Sequence, residues 1–223
     1  MANDPDQSVF ARFFRRVPKQ ARSRALVDSI LQALEEHGSQ DPSLEQLRVE
    51  SLAERAGVGI GSLYEYFSSK DSLLGALVGR ATKKNFDELM AHASGLEGDL
   101  EAAVRQMSAR VTEQYLARPR GTRLLMTAIA KLDLWDVVVA ERDRFSEGLV
   151  GLALARSPHL DRERLAATMR LLPDSVMGVL SGELTRHDRP DLRRTSELVA
   201  DVAWGVVLAR HPTAKTAASA AQS

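Results

Sequence analysis

The chain has 223 residues, 44% of them hydrophobic and 27% charged, which is the composition of a globular protein rather than a disordered chain. It contains no cysteine, so it can form neither a disulfide nor a thiolate metal site. Its 30 basic and 30 acidic residues cancel, and zero net charge counts against attraction of the whole surface to nucleic acid. The start MANDPDQSVF lacks a basic-then-apolar signal, and no apolar run approaches the roughly 20 residues that cross a bilayer, so we expect a cytoplasmic protein.

A basic segment opens the chain, and residues 1–18 are predicted to form a flexible arm. Between positions 12 and 24 there is no acidic residue, and the basic residues are Arg12, Arg15, Arg16, Lys19, Arg22 and Arg24. Such an arm can neutralise phosphates or enter a minor groove, with Arg22 and Arg24 favoured as DNA contacts. A solvated, disordered tail is the alternative. Three aromatic residues add apolar bulk suited to docking on the body of the protein: Phe10, Phe13 and Phe14.

The segment 49–70, VESLAERAGVGIGSLYEYFSSK, predicts two short helices joined at a glycine turn. In its first half, one helical face is apolar and comprises Val49, Leu52, Ala53 and Ala56. Gly57 can adopt the left-handed backbone conformation that ends a helix, and Val58 can fill the angle between the two helices. The spacing therefore predicts a helix-turn-helix, which we place in a domain at 19–70.

The second of these helices is predicted to run from Ile60 to Phe67. Leu63 and Phe67 are spaced to face inward, at i and i+4. Three polar residues are left for the outer face: Ser62, Tyr64 and Tyr66. Serine and tyrosine hydroxyls suit phosphate oxygens or base edges, and small residues at the start of the helix allow a close approach, so DNA is the surface that fits.

The run AGVGIGSLYEYFSSKDSLL resembles the signature of TetR-type transcriptional repressors. The matching positions are Ala56, Gly57, Val58, Gly61, Leu63, Tyr64, Phe67, Ser69, Lys70 and Leu73. Upstream, residues 18–38 are similar to the first helix of the family and its closing glycine. The resemblance covers about the first third of the chain. It implies an all-α fold in which a three-helix DNA-binding domain precedes a larger helical domain, here 71–211, that binds an effector and dimerises.

Roles for particular residues can also be predicted, and those of Tyr64 and Lys70 come from the matched family positions. The recognition helix would present four residues to base edges or sugars: Ile60, Gly61, Ser62 and Tyr66. Tyr64 and Lys70 would contact phosphates, and the backbone N–H groups of the helix that begins near Lys70 can assist. Ser51 completes the predicted DNA-binding set with Arg22 and Arg24.

Two features depart from the family pattern. Between Gly38 and Leu52 the chain has several more residues than usual, and the additional segment 39–48 contains the turn signal Asp41-Pro42. In the recognition helix, Ser62 stands where many relatives have threonine, and Tyr66 replaces a common histidine. The first difference concerns loop geometry and the second concerns which DNA sequence is recognised.

Beyond Lys70 every predicted element is helical. A long amphipathic segment covers 71–90, and further helices are predicted near 100–117, 121–132, 134–155, 162–185 and 192–210. Pro173 should kink the helix at 162–185 or split it at Leu172. The small, polar tail 212–223 is predicted to be disordered.

The last two predicted helices are expected to form a homodimer interface. Gly178 and Gly182 interrupt an apolar stripe at i, i+4, a spacing that lets two helices approach closely. The final helix has two apolar faces, one suited to its own core and the other to a partner subunit. The predicted interface comprises Leu172, Val176, Gly178, Val179, Leu180, Gly182, Val202, Trp204 and Val206. A single buried core helix is the alternative, whereas a two-fold dimer predicts a pseudo-palindromic operator.

A pocket for a small-molecule effector is predicted from soft and flat apolar side chains. The candidates are Met90, Met107, Tyr115, Met126, Trp135, Phe145 and Met169, and for each of them a place in the hydrophobic core is the alternative. Specific polar ligands of the effector are not identified by the sequence.

Catalytic, metal and cofactor sites find little support. The glycine-rich string at 57–62 resembles a phosphate cradle, but such loops follow a β-strand and this one follows a helix. Glu183 and His187 have the only metal-like spacing, and two ligands do not make a site. We therefore predict a ligand-responsive transcriptional repressor that binds double-stranded DNA, needs no cofactor and is not an enzyme. The alternatives are a helical small-molecule binding or interaction protein whose helix-turn-helix no longer binds DNA, and a helical-bundle enzyme.

Overall fold

A computed structural model describes residues 9–40 and 47–212, and within these ranges the chain forms one short 3₁₀ helix, Val9–Phe13, nine α-helices and no β-strand. The helices are α1 Ala21–Gln40, α2 Val49–Arg55, α3 Ile60–Tyr66, α4 Lys70–Ser94, α5 Leu100–Leu116, α6 Pro119–Lys131, α7 Trp135–Arg156, α8 Arg162–Arg186 and α9 Leu192–Arg210. The predicted all-α fold is confirmed. The Asp41-Pro42 turn, the tail from 213 and the first eight residues of the predicted arm lie outside the described residues.

The described residues form two compact units, each with its own core. The first unit contains the chain up to Lys83 together with Arg120–Val139, and the second contains Lys84–Pro119 and the chain from Ala140 onward. The predicted domain boundary between positions 70 and 71 is therefore wrong. The first half of α4 cannot be separated from the helix-turn-helix, because its buried residues belong to the same core: Leu73, Leu74, Ala76, Leu77 and Val78.

Gly38 lies within α1 and does not close it, since the helix continues to Gln40. The sequence prediction of a closing glycine is wrong for this reason. A Cβ atom at position 38 would overlap the side chain of Leu124 in α6. Glycine at this position therefore allows α1 and α6 to pack closely within the first unit.

Aspartate caps begin three helices of the second unit. The carboxylates of Asp99, Asp161 and Asp191 accept backbone N–H groups three residues further on, at 2.8, 2.7 and 2.9 Å, and so satisfy donors that the helix itself leaves unpaired. The predicted breaks before α5, α8 and α9 are confirmed. These helices pack on one another around a core formed mainly by Leu165, Met169, Leu172, Ala203, Trp204 and Val207.

Pro173 does not split α8, which runs without interruption from Arg162 to Arg186. Of the two predicted outcomes, a kink or a split at Leu172, the split is wrong. A proline in a helix interior costs about 3 kcal/mol, but this helix is anchored on both sides of it, by Met169 and Leu172 before it and by Leu180 and Leu184 after it. Among the helices of the described ranges, none has the length and apolar character needed to cross a membrane.

Candidate nucleic-acid interface

The turn between α2 and α3 has the geometry that the sequence predicts. Gly57 has a φ angle of +67°, which is in the left-handed region that favours glycine. The N–H group of Val58 donates to the carbonyl of Ala53 at 3.0 Å, so the end of α2 is satisfied within the turn. The helix-turn-helix is confirmed, and α3 is its second helix.

One face of α3 packs on the core and the other is exposed. Leu63 and Phe67 are fully buried, as predicted, and Ile60 and Tyr64 are 40% and 41% exposed. Tyr66 is only 7% exposed, so the prediction that it faces base edges is wrong. Because it lies three residues after Leu63, its side chain falls on the core side of the helix.

An open groove runs along the exposed face of α3. It is lined by Gly61, Tyr64 and Glu65 of the helix and by Arg15 and Arg16 of the segment that precedes α1. Glu65 was missed by sequence reasoning, although its position four residues after Gly61 places it on the outer face. Its carboxylate is paired with the guanidinium of Arg16. The groove therefore combines basic groups and a phenol with one acidic group.

Lys70 begins α4, at a capped helix start. The N–H group of Ser72 donates to Ser69 Oγ at 3.1 Å, and the N–H group of Ser69 donates to Ser72 Oγ at 3.0 Å. These reciprocal bonds fix the first turn of α4 and with it the backbone of Lys70. The structure thus gives a fixed starting point to the side chain predicted to contact phosphate.

Three further predicted contacts are solvent-facing. Arg22 and Arg24 are exposed in the first turn of α1, and Ser51 is exposed in the first turn of α2. Their roles remain predictions. Ser62 is partly buried beside Gly61, which is exposed.

Residues 11–18 are held within the first unit, so the predicted flexible arm is corrected for them. Phe13 and Phe14 pack against the core, and the rings of Phe14 and Phe67 lie 5.3 Å apart. Arg12 binds the carboxylate of Asp136 at 2.8 and 3.0 Å. This hydrogen bonding holds the pKa of the Asp136 carboxyl below its usual range and raises the pKa of Arg12. Apolar docking and ion pairing explain why this basic stretch is not free.

In the second unit, three residues of the predicted dimer interface are already buried within one chain. Leu172, Leu180 and Trp204 are 9%, 0% and 6% exposed, so they belong to the core and the prediction is wrong for them. Their burial follows from the packing of α8 on α9. Among the predicted interface residues, Gly178 is exposed, and those partly exposed are Val176, Val179, Gly182, Val202 and Val206.

The predicted pocket residues do not form one set. Met169 is 3% exposed within the core of the second unit, and Trp135 is 54% exposed at the start of α7, so neither fits a pocket wall. Met126 belongs to the first unit. In the second unit, Phe145 contacts Phe86 with ring centroids 5.3 Å apart, and the methyl group of Met90 occupies the space where a Cβ of residue 148 would lie. Met107 is half-buried in α5.

Polar groups that the sequence did not single out lie beside some of these residues. Gln114 donates through Nε2 to Asn85 at 3.1 Å and to Glu88 at 3.2 Å, while its buried Oε1 has no hydrogen-bond partner among the described residues. Tyr115 lies 3.2 Å from the Ser181 hydroxyl, and burial raises the pKa of its phenol. No sequence signal marks Gln114, because glutamine is common on helix surfaces. In the described part of the chain no cluster of three metal-ligating side chains occurs.

Helices α1, α2 and α3, with the outer face of α3 exposed, have the arrangement of a helix-turn-helix domain. Residues 30–77, from the middle of α1 into α4, match the family described as bacterial regulatory proteins of the tetR family. Over this segment the chain is similar to the transcriptional regulators of that family. A search of curated protein sequences gave no match.

Solved structures of regulators share this fold at low sequence identity. A TetR transcriptional regulator from Rhodococcus sp. RHA1 is 21% identical with a TM-score of 0.58, and the alignment covers 83% of this chain and 96% of that one. SmeT, the repressor of the Stenotrophomonas maltophilia efflux pump SmeDEF, is 19% identical with a TM-score of 0.59, covering 80% and 88%. A TetR-family regulator from Mesorhizobium loti is 13% identical with a TM-score of 0.67, covering 86% and 98%.

Proposed function

We propose that the protein is a homodimeric repressor that binds a pseudo-palindromic operator and is released from it by a small-molecule inducer. The observation that carries the proposal is the exposed face of α3, on which Ile60, Gly61 and Tyr64 stand clear of the core. This face would enter the major groove and read base edges. No chemistry on the ligand is part of the proposal.

Different residues would contact the bases and the phosphates of the DNA. Ile60, Gly61 and Ser62 lie at the start of α3 and would approach base edges or sugars. Tyr64 and Lys70 would contact phosphates on either side, the first from the middle of α3 and the second from the start of α4. Phosphate contacts fix the register of the helix on DNA, and the base contacts give sequence preference.

A dimer is supported by apolar surface that α8 and α9 leave exposed. Leu171 and Leu198 are 46% and 43% exposed, and Gly178 and Gly205 are exposed glycines whose Cβ positions would be open. Apolar side chains beside exposed glycines suit close packing of helices from a second subunit. A two-fold dimer would place two recognition helices about 34–36 Å apart for adjacent half-sites.

The effector would bind in the second unit, where the remaining candidate residues lie. Phe145, Met90 and Tyr115 offer apolar surface of different shapes, and Gln114 offers an unpaired carbonyl oxygen. Such a combination of apolar walls and few polar groups is typical of ligand sites. An inducer that prefers a subunit arrangement with a different spacing of the two α3 helices would relieve repression.

Binding of the purified protein to fragments of its own upstream intergenic DNA, across a salt series, tests the proposal. We expect salt-dependent binding to one short palindrome, because phosphate contacts release counterions. Lys70→Ala should lower the slope of log K against log salt by about 1, whereas Lys84→Ala in the second unit should leave it unchanged. If a random-sequence selection also yields no bound DNA, the proposal is wrong.

A helical small-molecule binding protein that no longer binds DNA is the second candidate. It is favoured by the zero net charge and by Glu65, an acidic group on the face of α3 that would approach phosphates. Ligand binding without any selected DNA sequence would support it. Retained salt-dependent binding to a palindrome would reject it.

A further inference from the structure

Residues 9–16, which we call the N-terminal brace, connect the start of α7 to the end of α3 within the first unit. At one end, Arg12 donates two hydrogen bonds to the Asp136 carboxylate, at 2.8 Å from Nη1 and 3.0 Å from Nη2. A bidentate pair of this kind fixes the orientation of both side chains as well as their distance. Asp136 is the second residue of α7, so this end of the brace is attached to a helix outside the helix-turn-helix.

The other end of the brace holds the last turn of α3. The N–H group of Arg15 donates to the carbonyl of Tyr66 at 2.8 Å, and the guanidinium of Arg16 pairs with Glu65. Tyr66 is the final residue of the helix, and carbonyls at a helix end have no partner within the helix. The brace therefore supplies a hydrogen bond that α3 cannot make for itself.

Between its ends the brace is packed against α4 and Phe67. The ring of Phe13 occupies the space where a Cβ at Gly75 would stand, so glycine at position 75 makes room for it. The Arg12 guanidinium lies 4.9 Å from the centre of the Phe13 ring, and Phe14 packs on Phe67. The ion pair with Asp136 and the seating of Phe13 are thus parts of one arrangement.

We propose that Arg12 and Asp136 are positioning residues for DNA recognition, because their ion pair keeps the N-terminal brace against the end of α3. The proposal rests on the DNA binding proposed above. A helix of seven residues is too short to be stable alone, so its orientation depends on what holds it at each end. Residue Arg12 acts here through the brace and not as a phosphate contact.

The direction in which DNA affinity changes when the Asp136 carboxylate is removed distinguishes this proposal from a purely electrostatic effect. Removal of a negative charge from a DNA-binding protein favours DNA binding when only charge matters. Removal of the anchor of the brace has the opposite effect. Asp136→Ala should therefore weaken operator binding, by about three- to five-fold, in line with the contribution of an exposed ion pair.

The experiment measures operator affinity across a salt series for a set of matched variants of the full chain. Arg12→Ala and Asp136→Ala should weaken binding to a similar extent with an unchanged salt slope, and the exchange Arg12→Asp with Asp136→Arg should restore most of the affinity. Glu113→Ala is the control, since it removes one carboxylate from an exposed ion pair on α5. Tighter binding by Asp136→Ala, a slope lower by about 1 in Arg12→Ala, or no restoration by the exchange would overturn the proposal.

A second variant tests the brace without touching a charge. Gly75→Ala should displace Phe13 and weaken operator binding, although alanine is the better helix former. Gly151→Ala is its control, because a Cβ there meets nothing within 4 Å. Equal affinities for the two alanine variants would count against the brace.

Hydrogen exchange of the free protein keeps this proposal separate from the proposed function. In Asp136→Ala the backbone amides of Leu63 and Phe67 should exchange faster than in the unaltered protein, while the Tm of the two proteins stays the same. If the unaltered protein binds no DNA, the proposed function fails, and this exchange still decides whether the brace supports α3. Unchanged exchange rates would overturn the proposal that the N-terminal brace supports α3.

Discussion

Tyr64 and Tyr66 lie on opposite sides of α3. Tyr64 is 41% exposed in the groove along α3, whereas Tyr66 is 7% exposed in the core of the first unit. Residues two apart on a helix are about 200° apart around its axis, since each residue turns the chain by about 100°. Removal of the Tyr66 side chain should therefore affect stability, whereas removal of the Tyr64 side chain should affect DNA binding.

Tyr66→Ala is expected to lower the free energy of unfolding by about 3–5 kcal/mol, the range for loss of a buried aromatic side chain. Tyr64→Ala should change stability by no more than about 0.5 kcal/mol and should reduce operator affinity. Urea unfolding and operator titration of both variants measure the two effects. A stable Tyr66→Ala protein that reads a different DNA sequence would show that Tyr66 contacts bases after all.

The two tyrosines also show what the sequence can and cannot predict about the site. The turn, the inward Leu63 and the extent of α3 follow from glycine and from helical spacing. Tyr66 was assigned to the outer face with Ser62 and Tyr64 because all three are polar, whereas its position three residues after Leu63 places it on the core side, where it is 7% exposed. Residue type alone therefore does not decide which face of a helix a tyrosine occupies, because its apolar ring can be buried.

Long-range packing explains the other corrections. Residues 9–18 are basic and their composition favours an arm, yet Phe13, Phe14 and the Arg12–Asp136 pair hold them on the body. Asp136 lies 124 positions after Arg12 in the sequence. Helical periodicity describes only near neighbours along the chain and cannot predict such a pair. The helix starts at 100, 162 and 192 were predictable because an aspartate immediately before each of them caps it locally.

Gly38→Ala is expected to destabilise the protein. The added methyl group would overlap Leu124, and overpacking of a core costs about 1–3 kcal/mol, which exceeds the gain of about 0.5–1 kcal/mol from alanine in a helix. The matched control is Gly151→Ala, where the new methyl group meets open space and should stabilise by a few tenths of a kcal/mol or more. Thermal unfolding of both variants checks the opposite signs. An increase in Tm for Gly38→Ala would show that Leu124 moves aside at little cost.

His211 is expected to make the protein less stable at mildly acidic pH. It lies 4% exposed at the end of α9, where its Nε2 is 3.1 Å from Thr168 Oγ1, a hydroxyl that also accepts a hydrogen bond from Arg210 Nε at 3.0 Å. Burial lowers the pKa of His211, and the nearby charges of Arg164 and Arg210 lower it further, while Asp161 raises it. Neutral imidazole is therefore the form that the folded protein prefers.

The sign of the pH effect follows from the proton balance. Since the pKa of His211 is lower in the folded state than the ordinary value of 6.5, the unfolded chain takes up a proton first as the pH falls below 6.5. The free energy of unfolding should decrease over that interval and level off below the folded pKa. His211→Gln should remove this part of the pH dependence while keeping a side chain able to reach Thr168. An unchanged stability profile in His211→Gln would exclude His211 as its source.

Gly178→Leu tests the proposed dimer without a predicted cost to the protomer. A Cβ at position 178 meets nothing within 4 Å and Gly178 is exposed, so a longer side chain starts in open space and points away from the core of its own chain. If α8 packs against a partner subunit at this glycine, the same side chain would force the two helices apart. The dimer dissociation constant should then rise at least about tenfold, equivalent to about 1.4 kcal/mol, and operator affinity should fall with it, because a two-fold site needs both recognition helices.

Gly151→Leu on α7 is the control, since its Cβ position is equally open. Light scattering over a dilution series measures the dimer, and a Gly178→Leu protein as dimeric as the control would place the interface elsewhere.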